Sequence, residues 1–183
     1  MLRALNAESA RAESFGARAL TEFKDRPLYT VPGDDESNHK YPIDLANQEG
    51  MVGSHVVDKH IGKTDEQLEQ RLRDQQLVRP NGIRPEAVSS FETLADARRY
   101  TQAALDEPSN QRKIDNWVAG NPGPNSSRAL LLPTNDVVGR SWNRGDPAAR
   151  DVTNVWVVLK PHPGGHPPFV VLTSMPTGKT QHP

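Results

Sequence analysis

Two hydrophobic periods divide the chain downstream of Gly53. In the first half the apolar positions recur at helical spacing. Ser54 stands as an N-cap ahead of a short helix over His55 to His60, which Gly62 ends. Thr64-Asp65-Glu66-Gln67 has the spacing of a capping box, opening a second helix that runs to about Gln76. A proline-bearing loop, Val78 to Pro85, leads to a short strand at Val88 to Phe91. Leu94, Ala97, Tyr100, Thr101 and Ala104 then mark one face of a helix from about Thr93 to Leu105. Ser109 caps another that reaches Val118 and stops at Gly120.

After the turn-rich stretch Asn121 to Ser127 the period shifts to two. Arg128 to Leu132, Val137 to Trp142, Val152 to Lys160 and Phe169 to Met175 read as strands, separated by Pro-, Asn- and Gly-bearing turns. Short connections favour antiparallel pairing. Helices first and strands afterwards place the chain in the α+β class.

The first fifty residues follow another pattern. Leu5, Phe15, Leu20 and Phe23 line one side of a loose helix over Ala4 to Phe23, and a polar, proline-bearing run to Gly50 reads as linker. Charge supports the division: residues 1–50 carry six Lys/Arg against nine Asp/Glu, and residues 51–183 carry sixteen against fourteen. The expected organisation is thus a tail over 1–50 and a weakly basic domain over 51–183, long enough to bury a core.

Composition narrows the function classes. Near-zero net charge (−1 for the whole chain) gives no global electrostatic case for nucleic acid, and a stretch of ~18 apolar residues long enough to span a membrane is missing. The N-terminus has no apolar core of a signal peptide. Without cysteine there is neither a disulfide scaffold nor a thiolate metal site.

Candidate chemistry gathers around one histidine. His55 and His60, five residues apart, diverge by about 140° on a continuous helix, unlike the i, i+4 pair of a zinc helix. Either can be an ordinary half-buried side chain. Lys63, Arg71 and Arg73 follow closely, however, and a titratable imidazole among fixed cations suits phosphodiester chemistry. His162 and His166 flank Pro163-Gly164-Gly165, a turn sequence, so they read as loop residues. Trp117, Trp142 and Trp156 read as core anchors ahead of a base-stacking platform. No phosphate-loop or nucleophile-elbow motif occurs.

The segment GSHVVDKHIGKTDEQLEQRL, Gly53 to Leu72, resembles the opening of the bacterial RNase A-like toxin domain, the C-terminal toxin of contact-dependent growth inhibition and polymorphic toxin proteins. Three further blocks follow in family order: SSFETLADARRYTQAAL (Ser89 to Leu105), IDNWVAG (Ile114 to Gly120) and VVLKPHPGGHPPFVVLTSMPT (Val157 to Thr177). Together they cover about residues 50–178.

By position the resemblance implies catalytic roles for His60, Arg71 and Thr173, with Lys63 as a phosphate contact. It also implies an aromatic, often Tyr, two residues beyond the threonine. Here that place holds Met175, which can donate neither proton nor hydrogen bond. Either the aromatic is dispensable, or a residue such as His55 or Ser174 covers its role. The implied activity is metal-independent, cofactor-free RNA cleavage to 2′,3′-cyclic phosphate ends. The implied fold is a kidney-shaped α+β domain, N-terminal helices on a curved antiparallel sheet, here without disulfides. A cognate immunity protein, a larger secreted carrier and action in the target-cell cytoplasm are implied as well. Two rivals stand beside this reading: a catalytically degenerate interaction domain, with Met175 as its sign, and a metal-dependent nuclease using His162 and His166.

Overall fold

The computed structural model describes residues 38–75 and 86–179. The expected helix over Ala4 to Phe23 and the loop Val78 to Pro85 lie outside them. The described elements are α1 (Leu45–Gln48), a 3-10 turn (Met51–Gly53), α2 (Val56–His60), α3 (Asp65–Asp74), β1 (Ala87–Ser90), α4 (Leu94–Asp106) and α5 (Pro108–Ala119). Five strands complete the chain: β2 (Arg128–Pro133), β3 (Gly139–Asn143), β4 (Arg150–Val152), β5 (Asn154–Pro161) and β6 (Phe169–Thr177).

Side chains near the helix starts explain where they begin. Thr64 and Gln67 form the reciprocal capping box of α3, and Thr93 caps α4 by accepting from the Asp96 amide. Two expected caps are replaced. Ser54 does not cap α2; its hydroxyl donates to the Val171 carbonyl at 2.7 Å, and the Glu49 carboxylate instead accepts from the amides of Val57 and Asp58, each at 3.0 Å. Glu107, not Ser109, caps α5 ahead of Pro108.

The strands form two antiparallel sheets, ordered β1-β3-β4 and β2-β5-β6. The run Val152 to Lys160, expected as one strand, divides at Thr153 between them. The Thr153 carbonyl accepts from both the amide (3.1 Å) and the hydroxyl (2.8 Å) of Thr134. With two hydrogen bonds to a loop the carbonyl has no strand partner, and the chain changes sheet there.

Each sheet has its own apolar cover. Leu130, Leu132, Val155, Val157, Leu159 and Val171, from one face of β2-β5-β6, share the main core with Ala97, Tyr100, Ala104, Leu105, Ile114 and Trp117 of α4 and α5. A smaller cluster joins Leu68 and Leu72 of α3 to Val88 of β1, with Trp142 against it. The sheets meet where β6 packs on β1 and β3. At that crossing a Cβ on Gly139 would lie 2.4 Å from both Pro176 Cγ and the Ser90 carbonyl oxygen, so only glycine fits without displacement.

Residues 38–50, read from the sequence as linker, are packed onto this body. Leu45 is fully buried in the main core, and Tyr41 and Ile43 pack against it. The Tyr41 ring meets Phe169 edge-on at 5.3 Å, and its hydroxyl donates to Asp115 at 2.5 Å. Lys40 pairs with the same carboxylate at 2.8 Å. Burial, aided by Asp115, pushes the Tyr41 hydroxyl up to about 12. Packing therefore begins ahead of the boundary expected near Gly50. Among the described residues no helix is long and apolar enough to cross a membrane.

Candidate functional site

His60 is the last residue of α2, and the strand beside it holds it there. Gly62 turns the chain at φ +62°. The Phe91 amide then donates to the His60 carbonyl at 2.8 Å, and the Gly62 amide to the Phe91 carbonyl at 2.9 Å. These bonds fasten the end of α2 to the end of β1. The imidazole is only 3% exposed, and its Nδ1 lies 3.0 Å from the Ser89 carbonyl oxygen. A carbonyl can only accept, so Nδ1 carries the proton and Nε2 keeps a lone pair. Burial, reinforced by the Arg71 charge and opposed by the Ser89 bond, lowers the His60 pKa to about 3. The ring is neutral at physiological pH.

Two cations, Arg71 and Lys59, and a second imidazole act on it. Arg71 lies on α3 and its guanidinium donates to the Lys59 carbonyl at 2.6 Å, which brings it to the end of α2 beside His60. The Lys63 amide donates to Ser90 Oγ at 2.9 Å, fixing the backbone between the two helices. Arg73, by contrast, is exposed and pairs with Glu69 one turn back. The half-buried His55 ring is centred 6.2 Å from that of His60. The His55 backbone amide donates to the Leu172 carbonyl at 3.1 Å, which ties this corner to β6.

Thr173 follows Leu172, and a β-bulge sets its direction. Val158 pairs with Thr173 and Leu159 with Val171, so Leu172 is the extra residue. Thr173 thereby faces away from the main core, where Leu159 and Val171 lie. It is 7% exposed, and its hydroxyl oxygen has no hydrogen-bond partner among the described residues. Ser89 Oγ is buried and unpartnered in the same way. Desolvated hydroxyls without partners are uncommon, because each costs about 1–3 kcal/mol unless a ligand completes it.

Ser174 takes the opposite face of β6, fully buried, its hydroxyl 2.7 Å from that of Thr101 on α4. It is a core contact, and the expectation that it could stand in for the missing aromatic fails on the alternation of the strand. Met175 is half-exposed on the Thr173 side, directly opposite Trp156. His162 and His166 lie in the turn joining β5 to β6, where the His162 amide donates to Pro168 and its carbonyl accepts from Gly165. Among the described residues no three His, Asp or Glu side chains group closely enough to hold a metal ion. Trp117 is a core anchor as expected, and Trp142 packs on the smaller cluster. Trp156 belongs to neither cluster.

The contributor missed in the sequence is Ser89. Its role runs through a backbone carbonyl and a buried hydroxyl, and only its place in the Ser-Ser-Phe block pointed towards it.

Comparison with known proteins places the matching region over most of this body. The family described as Bacterial CdiA-CT RNAse A domain matches residues 54–176. A chain of the CdiA-CT/CdiI complex from Y. kristensenii 33638 is 27% identical with a TM-score of 0.56, over 68% of this chain and 99% of the other. No curated protein matches. The matched span runs from Ser54, beside the paired histidines, to Pro176, just past Thr173, and covers most of the described body. The chain belongs to the bacterial CdiA-CT RNase A domain family.

Proposed function

We propose that this chain is a toxin ribonuclease that cleaves RNA by transphosphorylation, without a metal ion. The observation that carries the reading is the neutral His60 ring, its Nδ1–H occupied by Ser89 and its Nε2 lone pair left to act, beside the Arg71 cation. His60 Nε2 takes the proton of a ribose 2′-hydroxyl as O2′ bonds to phosphorus. The P–O5′ bond breaks, the 5′-oxygen collects a proton, and a 2′,3′-cyclic phosphate remains. Arg71 offsets the charge on the phosphoryl oxygens, Lys59 adds to the positive field at His60, and Lys63 is proposed as a further phosphate contact. The Thr173 hydroxyl, unpartnered among the described residues, gains an acceptor when phosphate binds. An anion there also neutralises the repulsion between Arg71 and protonated His60, raising the basicity of the ring as substrate arrives.

In this reading protonated His55, whose ring lies 6.2 Å from that of His60, returns a proton to O5′, a role Met175 has no proton to fill. The solved relative is a CdiA-CT/CdiI complex. By analogy the producer of this chain holds an inhibitory immunity partner, a larger secreted carrier delivers the domain, and the RNA is cut in the cytoplasm of the recipient cell.

Digestion of total RNA in EDTA, followed by analysis of the 3′ ends, tests the reading. Cyclic phosphate ends from native protein, and none from His60→Ala, are expected. Activity lost in EDTA would instead support the metal-dependent alternative. Intact RNA with and without metal would make the domain a binding module.

A further inference from the structure

Trp156 lies outside both apolar clusters, although a tryptophan in the centre of a sheet is ordinarily part of one. It stands opposite Met175, and the next pair on that face of the sheet is Val158 with Thr173. Two residues along a strand is about 6.7 Å. The indole and the unpartnered Thr173 hydroxyl are therefore neighbours on one surface, facing away from α4 and α5. The Lys179 ammonium sits 4.8 Å from the centre of the indole ring.

The position of that cation is built into the fold. The Lys179 amide donates to Thr177 Oγ1 at 3.1 Å, and its carbonyl accepts from the side-chain amide of the buried Asn154. Asn154 pairs with Thr177, one step beyond the Trp156–Met175 pair on the same face. The backbone of residue 179 is thus held to both strands, and the half-exposed indole carries a cation on its π face next to an unfilled hydroxyl.

We propose that Trp156 and Lys179 form a nucleobase subsite, in which a base of single-stranded RNA stacks on the indole. The lysine ammonium, displaced from the ring, bonds to the phosphate joined to that nucleotide. Thr173 and Trp156 then hold adjacent parts of one RNA strand, and the flexible Met175 side chain fills the edge of the stack. This inference rests on the ribonuclease reading for its ligand, but the geometry of the subsite is independent of the catalytic step.

A direct binding measurement separates the two. The indole signals in a 1H–15N spectrum include one from Trp156, assigned by its loss in Trp156→Phe. Titration of the native domain with a 2′-O-methylated RNA tetranucleotide, which has no 2′-hydroxyl to attack, is expected to shift that signal. Lys179→Ala should weaken the binding three- to ten-fold, with a shallower dependence on salt. In cleavage assays Trp156→Ala should raise KM ten-fold or more while kcat changes less than three-fold, and Trp156→Tyr should restore most of the loss. An unmoved Trp156 signal at saturating tetranucleotide, or an unchanged KM in Trp156→Ala, overturns the subsite. If the protein cleaves no RNA yet the Trp156 signal shifts, the subsite stands and the catalytic reading falls.

Discussion

The Nδ1–H of His60 donates to the backbone carbonyl of Ser89 across 3.0 Å, joining the end of α2 to β1 through the catalytic candidate itself. One ring nitrogen is thereby committed to the fold, and the other is left for the proposed proton transfer. Asparagine can mimic the first role alone, because its amide nitrogen falls near the place of Nδ1. His60→Asn is expected to keep the native fold by circular dichroism and lose about 10²–10⁴-fold in kcat/KM. Activity within ten-fold of native in that variant would remove His60 from the proton-transfer step.

The depressed His60 pKa has a consequence for stability, and its sign is fixed. In the unfolded chain the ring titrates near ~6.5, and in the folded protein at about 3. Between those values the unfolded state binds the extra proton. Stability is therefore full above about pH 6.5 and falls as the pH drops towards 3, by about 1.4 kcal/mol per unit from this group. Urea unfolding from pH 7 to pH 4 should show this loss, and His60→Asn should flatten it. Arg71→Gln removes a charge that lowers the pKa, so the imidazole should titrate at higher pH by NMR while cleavage weakens.

Thr173→Val separates binding from folding. The hydroxyl it removes is buried and has no partner among the described residues, so thermal stability should hold or rise by about 1 kcal/mol. Cleavage should fall ten-fold or more. A destabilised variant with full activity would contradict the assignment of that hydroxyl to substrate.

The segment 38–50 should matter to folding. Leu45 is fully buried, and Leu45→Ala should cost about 2–5 kcal/mol in denaturant unfolding. A domain beginning at residue 50 should be destabilised by at least as much. Equal stability of the two lengths would return this stretch to the status of a linker.

These contrasts show what the sequence carries and what it hides. The capping box at Thr64 and the helix from Leu94 were legible because their signals are local: a hydroxyl three residues before an amide, an apolar stripe of period 3.6. That Arg71 would lie close to His60 was legible through family spacing. The packing of Tyr41, Ile43 and Leu45 was not, since three apolar residues in a polar stretch gain their energy only from Phe169 and other residues distant in sequence. The division at Thr153 was hidden for the same reason, because a loop hydroxyl interrupts a run of strand formers from 19 positions away. Ser174 and Thr173 could not be told apart until the bulge at Leu172 fixed which faced the core. Trp156 has the composition of a core residue but stands half-exposed, outside both clusters.

The crossing at Gly139 places the candidate site in another light. His60 and Ser89 belong with β1 of one sheet, and Thr173 and Trp156 with β6 and β5 of the other, so the chemistry lies along a seam between two independently covered layers. The width of that seam is set where Gly139 touches Pro176 and Ser90, with the room of a single hydrogen atom. The spacing of the proposed catalytic groups thus depends on a residue with no side chain. A methyl group added there would act as a wedge, parting proton acceptor from phosphate contact without touching either.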